Sequence, residues 1–266
     1  MKNDLKTQDL KTQIEQAARW IAASKHLVAF TGAGISTDSG LPDFRGPDGV
    51  WTRRDKGLPP PAWGKHPSEI RPNIAHHALV ELQQLGKLKF LISQNVDGLH
   101  LESGIPLELL AELHGNGKLM RCLGCEERYR LADVGWDRRR WGEGYRTQAV
   151  RKGQPACPGC SGRLISSVVN FGDPLPEREL DLAFEHSERS DVFFAIGSSL
   201  VVSPANQMPL QALEAGAKLI LLNRGETPYD ELAHLRISAG IGDVLPPVVE
   251  RVKQLLAGAR GAAPSA

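Results

Sequence analysis

The stretch that most constrains the fold of this chain covers residues 26–46 and reads HLVAFTGAGISTDSGLPDFRG. Its residues 27–30 form a short apolar run that predicts a buried strand, and Gly32, Ala33 and Gly34 follow directly. Glycines let a backbone turn sharply and approach a phosphate, and the N–H groups of a following helix attract negative charge. Thr37 stands where the dinucleotide-binding fingerprint has its third glycine. The stretch therefore predicts either a nucleotide site or a tight strand-to-helix connection without a ligand.

Composition places few other limits on the chain. Its 266 residues are 41% hydrophobic and 24% charged, which is typical of a globular protein with one large domain, or with a large domain and a small insert. The formal net charge of +1 shows no bias toward nucleic acid or a membrane surface. The first residues are polar and no long apolar run occurs, so we expect no export signal, no membrane span and a cytoplasmic location. A nuclear location stays open for a eukaryotic source.

Apolar runs typical of strands alternate along the chain with helical spacing. The predicted strands cover residues 27–30, 88–93, 164–171, 191–196 and 218–222. The predicted helices cover residues 74–85, 177–187, 207–215 and 248–256. This alternation predicts an α/β fold with a mainly parallel, doubly wound sheet. Because the carboxyl ends of parallel strands meet at one edge, we expect the segments GAGIS, QNVDGLH, GSSL and LLNR to surround one extended ligand.

Three segments fall outside this alternation. A polar lead-in over residues 1–24 contains DLKTQ twice in tandem and is expected to become helical toward residues 14–23. Residues 47–74 are rich in Pro, Gly and Trp, and three consecutive prolines exclude a regular helix there. That segment is either a lid over a ligand or a surface loop with buried tryptophans. Residues 258–266 are mostly small and are expected to form a disordered tail.

All four cysteines fall in two C-x-x-C pairs, Cys122 with Cys125 and Cys157 with Cys160. Without an export signal the pattern favours metal over disulfides, and four thiolates are the usual ligands of a tetrahedral structural zinc. Residues 136–152, between the pairs, are basic and aromatic. They form either a solvated, partly mobile loop, which we favour, or an auxiliary surface for nucleic acid.

Taken together, these pieces resemble the sirtuin family of NAD-dependent protein deacylases. The resemblance rests on GAGIS, GLPDFR, QNVD, HG, the four cysteines, VVNFGD, GSS and Asn223, in the family's order. Several motifs are similar to those of the branch that includes the chromatin-associated nuclear sirtuins. The resemblance implies a Rossmann-like NAD-binding domain formed by residues 25–115 and 165–257, with a lid and helical segment at 47–85. It also implies a smaller structural zinc module at 116–164, with the active site in the cleft between the two.

The resemblance implies that NAD binds along the strand ends and is consumed rather than reduced. Arg45 would then bind phosphate or ribose oxygens, Phe44 would screen the nicotinamide ribose, and Gln94 would bind ribose hydroxyls. Asn95 and Asp97 would form a pocket for the nicotinamide carboxamide, which needs one donor and one acceptor. The implied NAD-binding residues are Gly32, Ala33, Gly34, Thr37, Phe44, Arg45, Trp51, Gln94, Asn95, Asp97, Gly197, Ser198, Ser199, Asn223, Gly225 and Ile241.

The catalytic residues that the resemblance implies are His114, Asn95 and Asp97, with His114 as the general base. An imidazole has a pKa near 6.5, so it accepts a proton at neutral pH. In the family's reaction the acyl-lysine carbonyl oxygen attacks C1′ of the nicotinamide ribose, and nicotinamide leaves. The histidine then acts through ribose hydroxyls and assists attack by the 2′-hydroxyl. Water completes the reaction, which yields free lysine and O-acyl-ADP-ribose.

The partner implied by this reaction is an acylated lysine in a protein or peptide. The peptide is expected to add as a strand between residues 171–176 and 199–203. Val168, Val169 and Phe171 would line the channel for the lysine stem.

The residues leave the acyl preference open. Asn170 stands where many deacetylases carry a hydrophobic residue, and residues 47–66 lack the Tyr/Arg pair of sirtuins that remove acidic acyl groups, so desuccinylation is not predicted. A mono-ADP-ribosyltransferase that uses the same site is an alternative. A zinc-ribbon nucleic-acid-binding protein is another, against which the near-neutral charge argues. An NAD dehydrogenase is disfavoured because the glycine fingerprint is incomplete. The oligomeric state stays open.

Overall fold

Two β-sheets organise the protein, which we describe from a computed structural model covering residues 9–261. The strands, numbered in chain order, are Leu27–Thr31 (β1), Leu88–Ser93 (β2), Leu110–Glu112 (β3), Leu119–Cys122 (β4), Arg128–Arg130 (β5), Leu164–Ser166 (β6), Val192–Ile196 (β7), Lys218–Leu222 (β8) and Leu235–Ile237 (β9). The α-helices are Leu10–Ala23 (α1), Val50–Asp55 (α2), Ile74–Gln84 (α3), Leu99–Ser103 (α4), Arg138–Trp141 (α5), Glu177–Arg189 (α6), Met208–Glu214 (α7) and Ile241–Gly261 (α8). Short 3-10 helices at Ala33–Ser39, Pro67–Glu69, Leu107–Leu109 and Ala205–Gln207 complete the described elements.

The large sheet has six parallel strands in the order β3-β2-β1-β7-β8-β9. This is the Rossmann order, in which the sheet's first strand along the chain pairs with its fourth, and the direction of winding reverses between the two. The reversal lies here between β1 and β7, which pair along their whole length from Leu27 with Val192 to Thr31 with Ile196. The predicted doubly wound parallel sheet is therefore confirmed, and its ligand-binding crevice is expected beside the ends of β1 and β7.

Each face of the large sheet packs against its own layer of helices. Alternate strand residues such as Leu27 and Ala29 point to α1, α3 and α8, whereas Val28 and Phe30 point to α6 and α7. Because every residue of β1 is buried, the strand is apolar on both faces, as a central parallel strand requires. Helices therefore cover both faces of the sheet, and the loops that follow the strands lie at its carboxyl-terminal edge.

Both terminal helices are longer than predicted. Helix α1 starts at Leu10, where Asp9 of the second DLKTQ copy accepts a hydrogen bond from the Thr12 N–H, and the first copy lies outside the described residues. Helix α8 begins before its two prolines, not after them, because burial of Val244, Leu245, Val248, Val249 and Val252 outweighs the two backbone hydrogen bonds that proline cannot donate. It also includes residues 258–261 of the predicted disordered tail, while residues 262–266 lie outside the described range.

The small module contains an antiparallel sheet in the order β5-β4-β6 and the four cysteines. The strand predicted over residues 164–171 is wrong in length and place, because only Leu164–Ser166 is a strand and it pairs with β4 in this module. Trp136 and Trp141 are buried in the module core. Their indole rings are thus unavailable for stacking on nucleic-acid bases, and the basic loop keeps its charge and the exposed ring of Tyr145 for such a role.

The Pro- and Trp-rich segment after the glycine loop contains α2 and a 3-10 helix. Its three consecutive prolines, at residues 59–61, lie in irregular chain between them, as predicted, although α2 shows that a regular helix forms elsewhere in the segment. In the following helix α3, His76 is buried and His77 is exposed, so the two adjacent histidines point to different faces. None of the helices within residues 9–261 combines the length and the apolar character needed to cross a bilayer.

Candidate active site

Two glycine loops meet at the edge of the large sheet where its winding reverses. The Gly32 N–H donates to the Ile196 carbonyl at 3.0 Å, and the Gly34 N–H donates to the Gly197 carbonyl at 2.9 Å. A Cβ atom on Gly32 or Gly34 would lie 2.7 Å from Gly197 backbone atoms, and Gly197 itself has a positive φ of 62°. The main reason for glycine at these positions is therefore that the two loop backbones touch. Their contact holds both loops at the crevice.

Substituting Gly34 by alanine is expected to weaken NAD binding and to destabilise the fold by about 1–3 kcal/mol, because the added methyl group overpacks the loop contact. The KM for NAD and the thermal midpoint are the measurements. Gly258→Ala is the matched control, since nothing lies within 4 Å of a Cβ on this helical glycine. A Gly34→Ala protein with the wild-type midpoint and KM would contradict the role of the contact.

The β2 loop places an amide and a carboxylate beside the first glycine loop. The Asn95 side-chain amide donates to the Gly32 carbonyl at 3.2 Å and to the Ser36 hydroxyl at 3.3 Å. Ser36 donates in turn to Asp97 at 2.7 Å. Asn95 is buried, and the other Asp97 oxygen accepts the Leu99 N–H at 2.9 Å. Because both amide hydrogens of Asn95 are used, its oxygen and the Asp97 carboxylate remain as acceptors in fixed directions, which suits a ligand that carries donor groups.

His114 follows β3 and lies against the neighbouring loop. Its Nδ1 is 2.9 Å from the Gln94 carbonyl, which can only accept, so this nitrogen carries the proton and Nε2 keeps its lone pair. The Gln94 side chain donates to Ser198 at 2.7 Å, which joins the β2 and β7 loops. Burial lowers the pKa of His114 below its ordinary value, and the bond to Gln94 opposes this. At neutral pH the site thus presents a neutral imidazole with a free basic nitrogen.

The backbone around His114 also contacts the segment after β6. The Val169 N–H donates to the His114 carbonyl at 2.9 Å. Gly115 adopts a positive φ of 78°, and a Cβ there would lie 1.7 Å from the Ser167 carbonyl oxygen. No side chain other than hydrogen fits at such a distance, which explains the glycine after the histidine. The contact brings Val168 and Val169, both half-buried, beside the imidazole loop.

Three aromatic rings, from the segment after the first glycine loop and the segment after β6, form an aromatic wall. The rings of Phe44 and Trp51 stack with centroids 5.8 Å apart, and Phe171 meets Trp51 edge-on at 5.9 Å. The Arg54 guanidinium lies 4.5 Å from the centre of the Trp51 ring. Phe171 is 89% exposed, so its ring is free to contact a ligand. Arg45 and Thr37 are also exposed, and the Thr37 hydroxyl donates to the Gly34 carbonyl at 3.0 Å.

The loops after β8 and β9 form the far end of the edge. The Asn223 side chain donates to the Gly225 carbonyl at 2.9 Å, and Ile241 is the first residue of α8. Arg236 in β9 donates to the Asn223 and Gly225 carbonyls and pairs with Asp230 at 3.0 Å. This arginine organises the loop, although nothing in the sequence pattern around it indicates that role.

The predicted site residues fall into two groups. Some make contacts that join one loop to another, and others only lie in a loop that reaches the site. The β1, β2, β3 and β7 loops are linked directly through Gly32, Gly34, Gln94, Asn95 and Gly197. Ala33, Ser199 and Ile241 take their place from the loops that carry them. Ser36, and Asn116 with its amide donating to Glu112 at 2.7 Å, contribute contacts that the sequence did not assign. Each of them stands in or next to a motif, which was the available signal.

The four cysteines of the small module converge as predicted. Their sulfur atoms all lie within 4.8 Å of one another, with 3.4 Å between Cys122 and Cys160 and 3.7 Å between Cys125 and Cys157. Four sulfurs about 2.3 Å from a tetrahedral zinc would be about 3.8 Å apart, so the spacing fits this ion. Since all four positions are thiols, the site suits structural zinc and leaves no ligand position open for water.

Comparison with known proteins gives one family. The sequence model described as "Sir2 family" matches residues 62–204. The NAD-dependent protein deacetylase SRT1 of Arabidopsis thaliana is 42% identical over 243 residues, which are 91% of this chain and 49% of the plant protein. The NAD-dependent protein deacetylase 1 of Pyrobaculum aerophilum is 40% identical over 259 residues, 92% of this chain and 96% of that protein. The chain thus spans about half the length of the plant relative and nearly all of the archaeal one.

Solved structures agree with this result. Sir2Af2 bound to a myristoylated histone peptide is 35% identical, has a TM-score of 0.65, and aligns over 93% of this chain and 99% of its own. A mutant Sir2 homologue in complex with ADP-ribose is 35% identical with a TM-score of 0.68, over 91% of this chain and 98% of its own. On the family match, the identity to relatives over nearly their full length and the shared fold, the chain belongs to the Sir2 family, the sirtuins.

Proposed function

We propose that the chain is an NAD-dependent protein-lysine deacylase that releases nicotinamide, free lysine and O-acyl-ADP-ribose. The observation that carries the proposal is the position of His114. Its Nδ1 is fixed on the Gln94 carbonyl and its own carbonyl accepts the Val169 N–H. One histidine therefore joins the loop assigned to the ribose and the segment assigned to the acyl-lysine, which is where a base for this reaction must act.

The described contacts support the assignment of the strand-end loops to NAD. The glycine loops at Gly32 and Gly197 meet at the reversal of the sheet, the usual location of a pyrophosphate in this fold. The Asn95 side-chain oxygen and the Asp97 carboxylate, held by Ser36, accept from the amide hydrogens of a carboxamide. The Asn223 loop lies at the distal end and is assigned to the adenosine.

NAD supplies the leaving nicotinamide and the ADP-ribosyl group that accepts the acyl chain. The chain's part is to bind and orient both reactants and to move one proton. His114 Nε2 takes a proton from a ribose hydroxyl, so that the ribose 2′-oxygen can attack the acyl carbon after nicotinamide has left. Phe44 and Trp51 shield the reacting carbon from water, which otherwise competes with the acyl oxygen.

The acyl preference rests on the apolar side chains near His114. The rings of Trp51 and Phe171 and the side chains of Val168 and Val169 form an apolar lining, whereas Asn170 is exposed beside them. Relatives of known structure have been solved with a myristoylated and with a propionylated peptide. We propose acetyl-lysine and longer acyl-lysines as the substrate class and assign no acidic acyl group, because the aromatic wall favours apolar chains.

The acidic limb in the pH profile of deacylation kcat/KM is expected to be centred below pH 6.5. The reason is that burial lowers the pKa of His114, so the neutral, basic imidazole persists below the ordinary value of 6.5. Rates from about pH 5 to 8 give the profile, and circular dichroism at each pH controls for acid unfolding. An acidic limb centred at or above 6.5 would contradict the burial argument.

The test of the proposed function uses the purified chain, NAD and peptides with acetyl-, decanoyl- or myristoyl-lysine. Mass spectrometry follows the free-lysine peptide with and without NAD. We expect NAD-dependent loss of the acyl group from at least one peptide. If NAD is consumed without deacylated peptide and labelled ADP-ribose stays on protein, the site is a mono-ADP-ribosyltransferase and the proposal fails. If NAD is not consumed at all, both enzyme functions fail.

A further inference from the structure

A buried ion cluster joins the small module to the large sheet. Arg128 of β5 lies between two carboxylates, with Nη1 3.4 Å from Glu112 of β3 and 3.3 Å from Glu179 of α6. The side chains of these three residues are exposed by 10%, 3% and 4%. None of them belongs to the predicted NAD or zinc sites. A cluster so deeply buried is costly to leave unpaired, so its partners hold one another in place.

The arginine is also bound to the backbone of the large domain. Its Nη2 donates to the carbonyls of Leu107 at 3.3 Å and Leu110 at 3.2 Å, just before and at the start of β3. The Glu112 N–H donates to Glu179 at 3.1 Å. A side chain from the small module thus ties together the beginning of β3, the end of β3 and helix α6.

Charge balance makes Arg128 necessary to this arrangement. Burial raises the pKa of Glu112 to about 8 and also raises that of Glu179, while Arg128 lowers both. A pKa of about 8 leaves Glu112 largely protonated at neutral pH, so the guanidinium mainly balances the one negative charge that the pair then carries. Without the guanidinium, we expect the pair to lose that charge or to separate, and either change alters the hydrogen bonds of Glu112.

Those hydrogen bonds enclose the loop that carries His114. The side chain of Glu112 accepts from the Asn116 amide at 2.7 Å, and its carbonyl accepts the Gly115 N–H at 2.8 Å. Asn116 is buried and caps the next turn by accepting the Lys118 N–H at 2.8 Å. His114 lies midway between Glu112 and Asn116, so the pair fixes the loop at both ends of the histidine.

We propose that Arg128 is a positioning residue for the catalytic step of His114, through Glu112 and Asn116. The inference rests on the proposed function, because it assigns the proton transfer to His114. By this route the small module contributes to catalysis without touching either substrate. A shift of about 1 Å in a reacting group costs about 100-fold in rate, so loss of Arg128 is expected to be visible in kcat.

The test compares Arg128→Met with Arg130→Met, a matched control two residues along the same strand at an exposed position. Two reactions are measured on each protein: deacylation, and exchange of labelled nicotinamide into NAD in the presence of acyl peptide. Exchange reports the first step, before His114 acts. We expect Arg128→Met to lower the kcat for deacylation about 10- to 100-fold, with exchange and the KM for NAD within about twofold of wild type. Arg130→Met is expected to match wild type in both.

Zinc content and the thermal midpoint show whether Arg128→Met is folded. Arg128→Lys keeps the positive charge but lacks the guanidinium group that donates to two backbone carbonyls, so it should recover part of the lost deacylation. Should Arg128→Met fail to fold, Arg128→Lys decides: a lowered ratio of deacylation to exchange supports the inference, and a wild-type ratio overturns it. Equal loss of both reactions in a folded Arg128→Met protein also overturns it. A wild-type chain that performs neither reaction refutes the proposed function instead.

Discussion

Replacing His114 by alanine is expected to lower the rate of deacylation by about 10²–10⁴-fold, the usual contribution of a positioned general base. The role assigned to the imidazole is to remove a proton from a ribose hydroxyl. Its Nε2 lone pair is available for this because Nδ1 donates to the Gln94 carbonyl. Nicotinamide exchange should survive, since it precedes the proton transfer. Deacylation is measured by mass spectrometry of the peptide and exchange by incorporation of labelled nicotinamide.

His77→Ala is the control for this substitution, because His77 is exposed on α3 and lies outside the assigned site. It should leave both reactions unchanged. Deacylation at the wild-type rate in the His114→Ala protein would remove the histidine from the mechanism. Loss of exchange together with deacylation would show that His114 acts before nicotinamide leaves, or that it is needed for binding.

Removal of zinc is expected to unfold the small module, because structural zinc sites of this kind contribute about 10–16 kcal/mol of apparent binding free energy. The module core is small, and Cys122 and Cys157 are among its buried residues. Cys157→Ser should therefore abolish zinc binding and lower the thermal midpoint strongly. A chelator should do the same to the wild-type protein, as measured by metal analysis and thermal melting.

Lys152→Ser, an exposed change in the same module, is the control for Cys157→Ser and should keep both zinc and midpoint. The Arg128 contact adds a second expectation. Since Arg128 lies three residues after Cys125, loss of the metal should disturb the Glu112 pair and reduce deacylation at temperatures at which the large domain is still folded. A wild-type midpoint in metal-free protein would contradict a structural role for the cysteine site.

The fold and the gathering of the strand-end motifs could be predicted from the sequence because both follow from short-range patterns. The apolar runs of β1, β2, β7 and β8 are buried on both faces, which makes them conspicuous, and parallel strands necessarily place GAGIS, QNVD and GSS at one edge. The cysteine spacing was equally informative, since two C-x-x-C pairs have few structural uses. The individual NAD and substrate residues stay predictions.

What the sequence could not show depends on contacts between distant segments. The strand at Leu164–Ser166 has the apolar character of a large-sheet strand, and only its pairing with β4 places it in the small module. The start of α8 could not be predicted because proline has a low helix propensity, whereas packing against the sheet favours a helix through both prolines. Arg128 has no motif around it, and its role emerges only when Glu112 and Glu179 are brought to it by the fold.

The most direct test of the central claim is the stoichiometry of the products from one time course with the best acyl peptide. Nicotinamide, free-lysine peptide and O-acyl-ADP-ribose are quantified together for each NAD consumed. The proposed mechanism predicts equal amounts of all three at every time point, because the acyl group leaves lysine only by transfer to the ADP-ribose. Deacylated peptide with free acid in place of O-acyl-ADP-ribose, or deacylation that continues without NAD, would contradict it.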